Sequence, residues 1–275
     1  MDRIDRRVRA HYEARDDAER LLTPGFGELT RIRTWDLFDR VLPSPPALVF
    51  DVGGGPGLHS QRLAGLGYDV TLVDPVENNL NLARKRAGHG RPFAVISGDA
   101  RAIPADDSVA DVVLLMGPLY HLPNRTDRER ALREARRVLR PGGLLLTEVI
   151  SRFCWLIERT YVDDVADPSR WREFEEEVTS GMNAPEDLVP PNGFYAYFHR
   201  PETAIEEVAD AGFESVGAFA VEGYAANIPN LAERLANDAE PILRGLRLVE
   251  TEPSLLGVSP HVLIAATRSD ANRLG

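Results

Sequence analysis

The stretch Val49-Phe50-Asp51-Val52-Gly53-Gly54-Gly55-Pro56-Gly57 decides the fold. A short apolar run ending in Asp51 turns into a glycine cluster, and a helix-sized segment, Leu58 to Leu66, follows and stops at Gly67. A strand that reverses through Gly53, Gly55 and Gly57 puts a turn nearly free of side chains at the carboxyl edge of a parallel sheet, where open α/β sheets bind ligands. Glycine lets the backbone come close to a ligand, and the start of the helix behind it offers unpaired N–H groups to an anionic or polar group. Asp74 closes the next apolar run about 20 residues further on, a place from which a carboxylate accepts hydrogen bonds from ribose hydroxyls.

Working outward, the runs Ala47–Val52, Val70–Val73, Phe93–Ile96, Val112–Met116 and Leu144–Ile150 are separated by helix-sized intervals. Short runs rich in Val, Leu and Ile at that spacing predict an α/β fold of parallel strands buried on both faces. The intervals read as helices Leu58–Leu66, Val76–Ala87 ending at Gly88, and Thr126–Leu139 ending at Arg140-Pro141-Gly142-Gly143. Upstream, Ile4, Val8, Tyr12, Leu21 and Leu22 have helix-compatible spacing, and a second helix carries Leu29, Ile32, Trp35, Phe38, Val41 and Leu42 up to the stop at Pro43–Pro46. After Ile150 the rhythm lapses. Ser151–Phe198 holds Trp155, Tyr161, Trp171 and Phe174, then loop-like stretches at 183–185 and 190–193, and reads as an insertion covering something. Tyr195 and Tyr197 alternate as in a short strand. A helix at Pro201–Ala211, a strand at Phe213–Ala220, a second helical insert at Ile228–Leu248 and a last strand at His261–Thr267 complete the pattern.

With 275 residues, 43% of them apolar, the chain suits one large domain or one domain with an appendage. A net charge of -11 argues against a nucleic-acid partner, although Arg84, Lys85 and Arg86 could line a local basic groove. Cys154 is the single cysteine, which excludes a disulfide framework and suits a reducing cytoplasm. No cluster with metal-ligand spacing is visible, so no metal is expected. The charged N-terminus is not followed by an apolar h-region, and the apolar stretch Val109–Tyr120 is too short to span a bilayer, so no export and no membrane partner are expected.

The glycine loop alone fits a dinucleotide or an adenosyl cofactor. The dinucleotide pattern GxGxxG, started at Gly53, meets Leu58 where it needs glycine; started at Gly55, it meets Ser60. From about Ala47 to Ile150 the chain instead resembles class I S-adenosylmethionine-dependent methyltransferases, in particular the bacterial methyltransferase-11 and -25 group. Val49–Gly57 looks like that family's first motif, and Leu72-Val73-Asp74 like its ribose-binding strand end. Ser97-Gly98-Asp99-Ala100 looks like the adenine-site turn, Asp111–Met116 like the fourth strand, and Arg137–Gly143 like the entry to the fifth.

The resemblance implies a Rossmann-like, seven-stranded, mostly parallel sheet with helices on both faces and the last strand antiparallel. It implies N-terminal helices at 1–46 covering the cofactor, and a methyltransferase domain at 47–275 with a lid insertion after strand five at about 151–198 and a second insert at about 227–249. S-adenosyl-L-methionine would lie on Asp51, Gly53, Gly54, Gly55 and Gly57, with Gly53 and Gly55 against its methionine portion. Asp74 and the adjoining Pro75 would meet the ribose, Asp99 and Ala100 the adenine, and Met116 and Gly117 the sulfonium side. Tyr12, beside His11 on a helix like the family's cofactor cover, would shield the cofactor, and Arg20 would meet its carboxylate. Plainer roles stand beside these: Asp99 as a turn cap and Met116 as core packing.

Methyl transfer from a sulfonium is an in-line displacement whose rate owes much to positioning. His121 follows strand four, which in this fold opens beside the methyl group, and is the first candidate for a base or an acceptor-orienting group; His199, which leads into a helix opened by Pro201, is the second. The two inserts suggest a covered pocket for a small or medium organic acceptor at oxygen, nitrogen or carbon. The function expected is a cytoplasmic small-molecule methyltransferase. The alternatives are a non-catalytic S-adenosylmethionine-binding module and an NAD-dependent oxidoreductase, and exposed apolar residues on the first two helices leave a homodimer open.

Overall fold

The computed structural model describes residues 5–14, 17–162, 164–183 and 195–269. The chain opens with α1 (Arg6–Ala14), a 3-10 turn (Asp17–Leu22) and α2 (Phe26–Val41). Alternation follows: β1 (Leu48–Val52), α3 (Leu58–Leu66), β2 (Asp69–Asp74), α4 (Glu77–Ala87), β3 (Ala94–Ser97), β4 (Ala110–Leu115), α5 (Arg125–Val138) and β5 (Leu139–Ile150). The insertion after β5 contains α6 (Cys154–Tyr161), α7 (Trp171–Ser180) and the antiparallel pair β6 (Met182–Asn183) and β7 (Ala196–Tyr197). Then come α8 (Pro201–Asp210), β8 (Phe213–Ala220), α9 (Leu231–Asn237), α10 (Glu240–Val249), α11 (Pro253–Leu256) and β9 (His261–Arg268).

The main sheet has seven strands in the order β3-β2-β1-β4-β5-β9-β8. Strands β1 to β5 pair in parallel, and β9 runs antiparallel between β5 and β8. The strand order reverses between β1 and β4, which makes a crevice at their carboxyl ends. One face buries Val113, Leu115, Leu145 and Val149 under Ala131, Leu132 and Ala135 of α5 and Val208 of α8. The other buries Val49, Leu72, Leu114 and Leu146 under Leu63 of α3, Leu80 of α4 and Trp35, Leu37 and Phe38 of α2. With both faces covered, the strands read as continuous apolar runs in the sequence.

Helix α2 is thus part of the core and not only a cover for a site. Truncating the fully buried Phe38 to alanine costs about 3–5 kcal/mol. The fully buried Arg33 also ties α2 to the far edge of the sheet, donating to the Val221 carbonyl (3.0 Å) and the Glu250 carboxylate (2.6 Å). The second insert forms two helices, α9 and α10, whose Leu231, Leu235, Leu243 and Leu246 pack with Leu29 of α2.

Strand β5 starts earlier than its apolar run suggests. Leu139 pairs with Ala110 and Leu144 with Val112, so the Arg140–Gly143 breaker is a bulge inside the strand. The N-terminal segment divides into α1 and the 3-10 turn, Ile4 lies outside the described residues, and so do 184 and 185 and the loop expected at 190–193.

Candidate active site

After Val52 the chain reverses through Gly53, Gly55 and Gly57, with φ of 71°, 55° and 84°, and enters α3. These left-handed values favour glycine. The loop is pinned to β2: Gly53 N–H donates to the Val73 carbonyl (2.7 Å) and Gly55 N–H to Asp74 Oδ2 (2.9 Å). Asp74 also accepts from Val76 N–H (2.9 Å) and Asn79 Nδ2 (3.3 Å), so its position is set by three donors. Burial raises its pKa against the pull of those donors.

Asp51 lies under the loop, where Ser60 Oγ donates to Oδ2 at 2.6 Å while Oδ1 is buried without a partner among the described residues. Burial, with the nearby Asp74 adding to it, pushes the Asp51 pKa to about 6. At the β3 end, Asp99 is gripped by Arg101, whose backbone N–H and Nε donate to Oδ1 (2.8 and 2.9 Å) and whose Nη2 donates to Oδ2 (2.8 Å). The Ala102 N–H meets the Asp99 carbonyl at 2.9 Å, so Asp99 both caps this turn and borders the cavity.

Beyond β4, Met116 and Gly117 lead into a 3-10 turn, Pro118–His121. His121 Nε2 lies 2.7 Å from Tyr12 Oη on α1, and Nδ1 lies 3.3 Å from the Tyr195 carbonyl. A carbonyl accepts only, which assigns the ring proton to Nδ1 and leaves Nε2 to accept the Tyr12 hydroxyl. Burial lowers the His121 pKa to about 3, so the ring is neutral at physiological pH. These groups surround a cavity of about 670 Å³, in the range of a drug-sized ligand site.

Comparison with known proteins agrees with this geometry. Residues 50–147 match the family described as "Methyltransferase domain". An uncharacterized methyltransferase of Mycobacterium tuberculosis is 37% identical over 110 residues, spanning 40% of this chain and 42% of that protein. A ubiquinone/menaquinone biosynthesis C-methyltransferase of Paracoccus denitrificans is 35% identical over 164 residues, 56% of this chain and 62% of that one. The chain thus spans less than two thirds of the length of these relatives. Residues 50–147 are thus similar in sequence to a methyltransferase domain. Among solved structures, magnesium protoporphyrin IX methyltransferase of Synechocystis, with S-adenosylhomocysteine bound, superposes with a TM-score of 0.59 at 15% identity, covering 96% of this chain and 98% of that one. The same fold is found in a Burkholderia thailandensis 1,6-didemethyltoxoflavin-N1-methyltransferase, with a TM-score of 0.55 at 17% identity over 95% of this chain and 84% of that one.

The cavity brings together most residues singled out from the sequence. Tyr12, Arg20, Asp51, Gly53, Gly54, Gly55, Asp74, Pro75, Asp99, Ala100, Met116, Gly117 and His121 all border it. Gly57 does not: it caps α3 behind the loop, where an added Cβ would meet Ala83, Leu72 and Phe93. His199 is also absent from the lining. It is fully buried between Tyr197, with ring centroids 4.7 Å apart, and Glu207, 3.5 Å away, because α8 packs against α5 and draws it into the buried Arg128–Glu207 pair. Sequence reading missed Thr30 and Thr34 on α2, Asn79 on α4, His59 on α3 and Glu148 on β5, all of which border the cavity. The signal for the threonines was there, as two polar side chains one helical turn apart on a helix that packs on the core; Glu148 was hidden inside an apolar run. Among the described residues no group of three or more His, Cys, Asp or Glu could hold a metal, and no helix is long and apolar enough to cross a membrane.

Proposed function

We propose that the protein is an S-adenosylmethionine-dependent methyltransferase acting on a small or medium organic molecule. The observation that carries this reading is the glycine loop pinned to the Asp74 carboxylate at the sheet's switch point, opening on the cavity. The residues present fit the cofactor. A Cβ on Gly55 would meet no described protein atom within 4 Å, so the loop leaves room for close approach, and Asp51 Oδ1 is a buried acceptor without a partner among the described residues. Gly53 to Gly55 would hold the methionine portion, Asp74 the ribose, and Asp99 and Ala100 the adenine. Met116 and Gly117 would lie by the sulfonium, Tyr12 would cover the cofactor, and Arg20 would meet its carboxylate. The names of the solved neighbours, which give magnesium protoporphyrin IX and 1,6-didemethyltoxoflavin as substrates, support a small organic acceptor.

When bound, the cofactor supplies an electrophilic methyl group. The chain's own work is then positioning and exclusion of water. His121, neutral and engaged at both nitrogens, orients the acceptor and holds Tyr12 and α1 over the cavity; its lowered pKa makes it a weak base. Calorimetric titration with S-adenosylmethionine, S-adenosylhomocysteine and NADH tests the reading. Binding of the first two, weakened by Asp74→Ala, is expected, and binding of NADH alone would overturn it.

A further inference from the structure

Glu148 is a polar residue in the apolar strand β5, one position past the Thr147 that pairs with Leu115. Its backbone therefore lies alongside Met116, at the carboxyl end of β4. Leu144 and Leu146 belong to the cluster under α2, and Glu148, two positions on, shares their face, as Asp51 shares the face of Val49. It borders the cavity and is only 4% exposed, yet among the described residues its carboxylate accepts no hydrogen bond. An ionisable group buried that way is costly unless something supplies a partner.

The groups facing Glu148 do not supply one. Its strongest electrostatic neighbour is His261, which is engaged by another acid: His261 Nδ1 lies 2.7 Å from Glu222 Oε1, and Glu222 also accepts from the His261 backbone N–H (3.0 Å) and from Thr30 Oγ1 (2.7 Å). Glu148 also feels the like charge of Glu222 and, more weakly, the charge of Arg20. The other carboxylates of the deep wall differ. Asp74 has three donors and Asp51 has Ser60, while at the rim Arg7 pairs with Asp5 and Arg101 with Asp99 and Asp127. Among the described residues Glu148 is consequently a buried carboxylate beside the end of β4 with no hydrogen-bond donor of its own. Burial raises the Glu148 pKa, and an arriving cation would favour the ionised form.

Resting on the methyltransferase reading above, we propose that Glu148 selects the acceptor by binding the positively charged nitrogen of a small amine, in preference to a carboxylic acid or a neutral alcohol. Protein saturated with S-adenosylhomocysteine is titrated calorimetrically with phenethylamine and tryptamine, and with the neutral and acidic counterparts 2-phenylethanol and 3-phenylpropionate. The amines are expected to bind about tenfold or more tightly than their counterparts. In Glu148→Gln that preference is expected to disappear with affinity for S-adenosylhomocysteine retained, and Glu148→Asp, which keeps the charge, is expected to retain part of it. Absence of an amine preference in the wild type, including absence of any binding, would overturn the proposal, as would a preference undiminished in Glu148→Gln. Loss of S-adenosylhomocysteine affinity in Glu148→Gln with the amine preference intact would also overturn it, by assigning the carboxylate to the cofactor's amino-acid end. Failure of the wild type to bind S-adenosylhomocysteine would instead defeat the methyltransferase reading, and this proposal with it.

Discussion

Replacing Gly55 with alanine separates what the loop does for the fold from what it does for a ligand. At φ 55° an L-residue occupies the left-handed region, which costs about 1–2 kcal/mol. The added Cβ meets no described protein atom within 4 Å, so no clash is added. For a chain of this size that loss corresponds to a melting temperature lower by about 2–4 °C. The new methyl group would stand where a ligand rests on the loop, so affinity for S-adenosylhomocysteine is expected to fall about tenfold or more. Gly53→Ala is the contrasting case. At φ 71° its Cβ would come within 2.7 Å of Pro118 Cγ, adding a steric term to the backbone strain, and its stability loss is expected to be larger, about 2–4 kcal/mol. Thermal melting by circular dichroism and calorimetric titration read the two effects separately. If Gly55→Ala melted lower as expected but bound S-adenosylhomocysteine like the wild type, the ligand would not lie against the loop, and the observation carrying the proposed function would be lost.

Three further outcomes are expected. Asp51, with its pKa raised to about 6, destabilises the fold once it is forced to ionise; the penalty is absent below its ordinary value, grows as pH rises between the two values, and is complete above pH 6. Asp51→Asn should therefore be more stable than the wild type at pH 8, by up to about 3 kcal/mol, with the gain fading by pH 4 in denaturant titrations. Arg128 pairs with Glu207 and also donates to the Leu122 and Pro123 carbonyls, so it braces the turn that carries His121. Arg128→Met leaves a buried carboxylate unpaired and should cost about 3–5 kcal/mol by chemical denaturation; a loss under 1 kcal/mol would contradict the pairing. His199→Ala should lower stability by about 1–3 kcal/mol while leaving S-adenosylhomocysteine affinity within about twofold, and a large loss of affinity would return His199 to the site.

The amino-acid sequence by itself determined the alternation of strands and helices, the glycine loop and the acidic end of β2. These features are set over a few residues, by runs of Val, Leu and Ile, by glycine's tolerance of positive φ and by carboxylates at strand ends. The place of His121 at the cavity was legible for the same reason, since it lies within a few residues of the end of a strand whose carboxyl end had to face the crevice. Tertiary structure alone decided how distant side chains converge. Tyr12 meets His121 across 109 positions, and Arg128 meets Glu207 across 79, an encounter that draws the neighbouring His199 into the interior. In the run Leu144–Ile150 every position reads as buried, and only the covering of one face by α2 and the cavity beneath it made Glu148 part of the cavity wall. The physical reason is that strand and turn propensities act locally, whereas the surroundings of a side chain depend on strand order and on which helix covers which face.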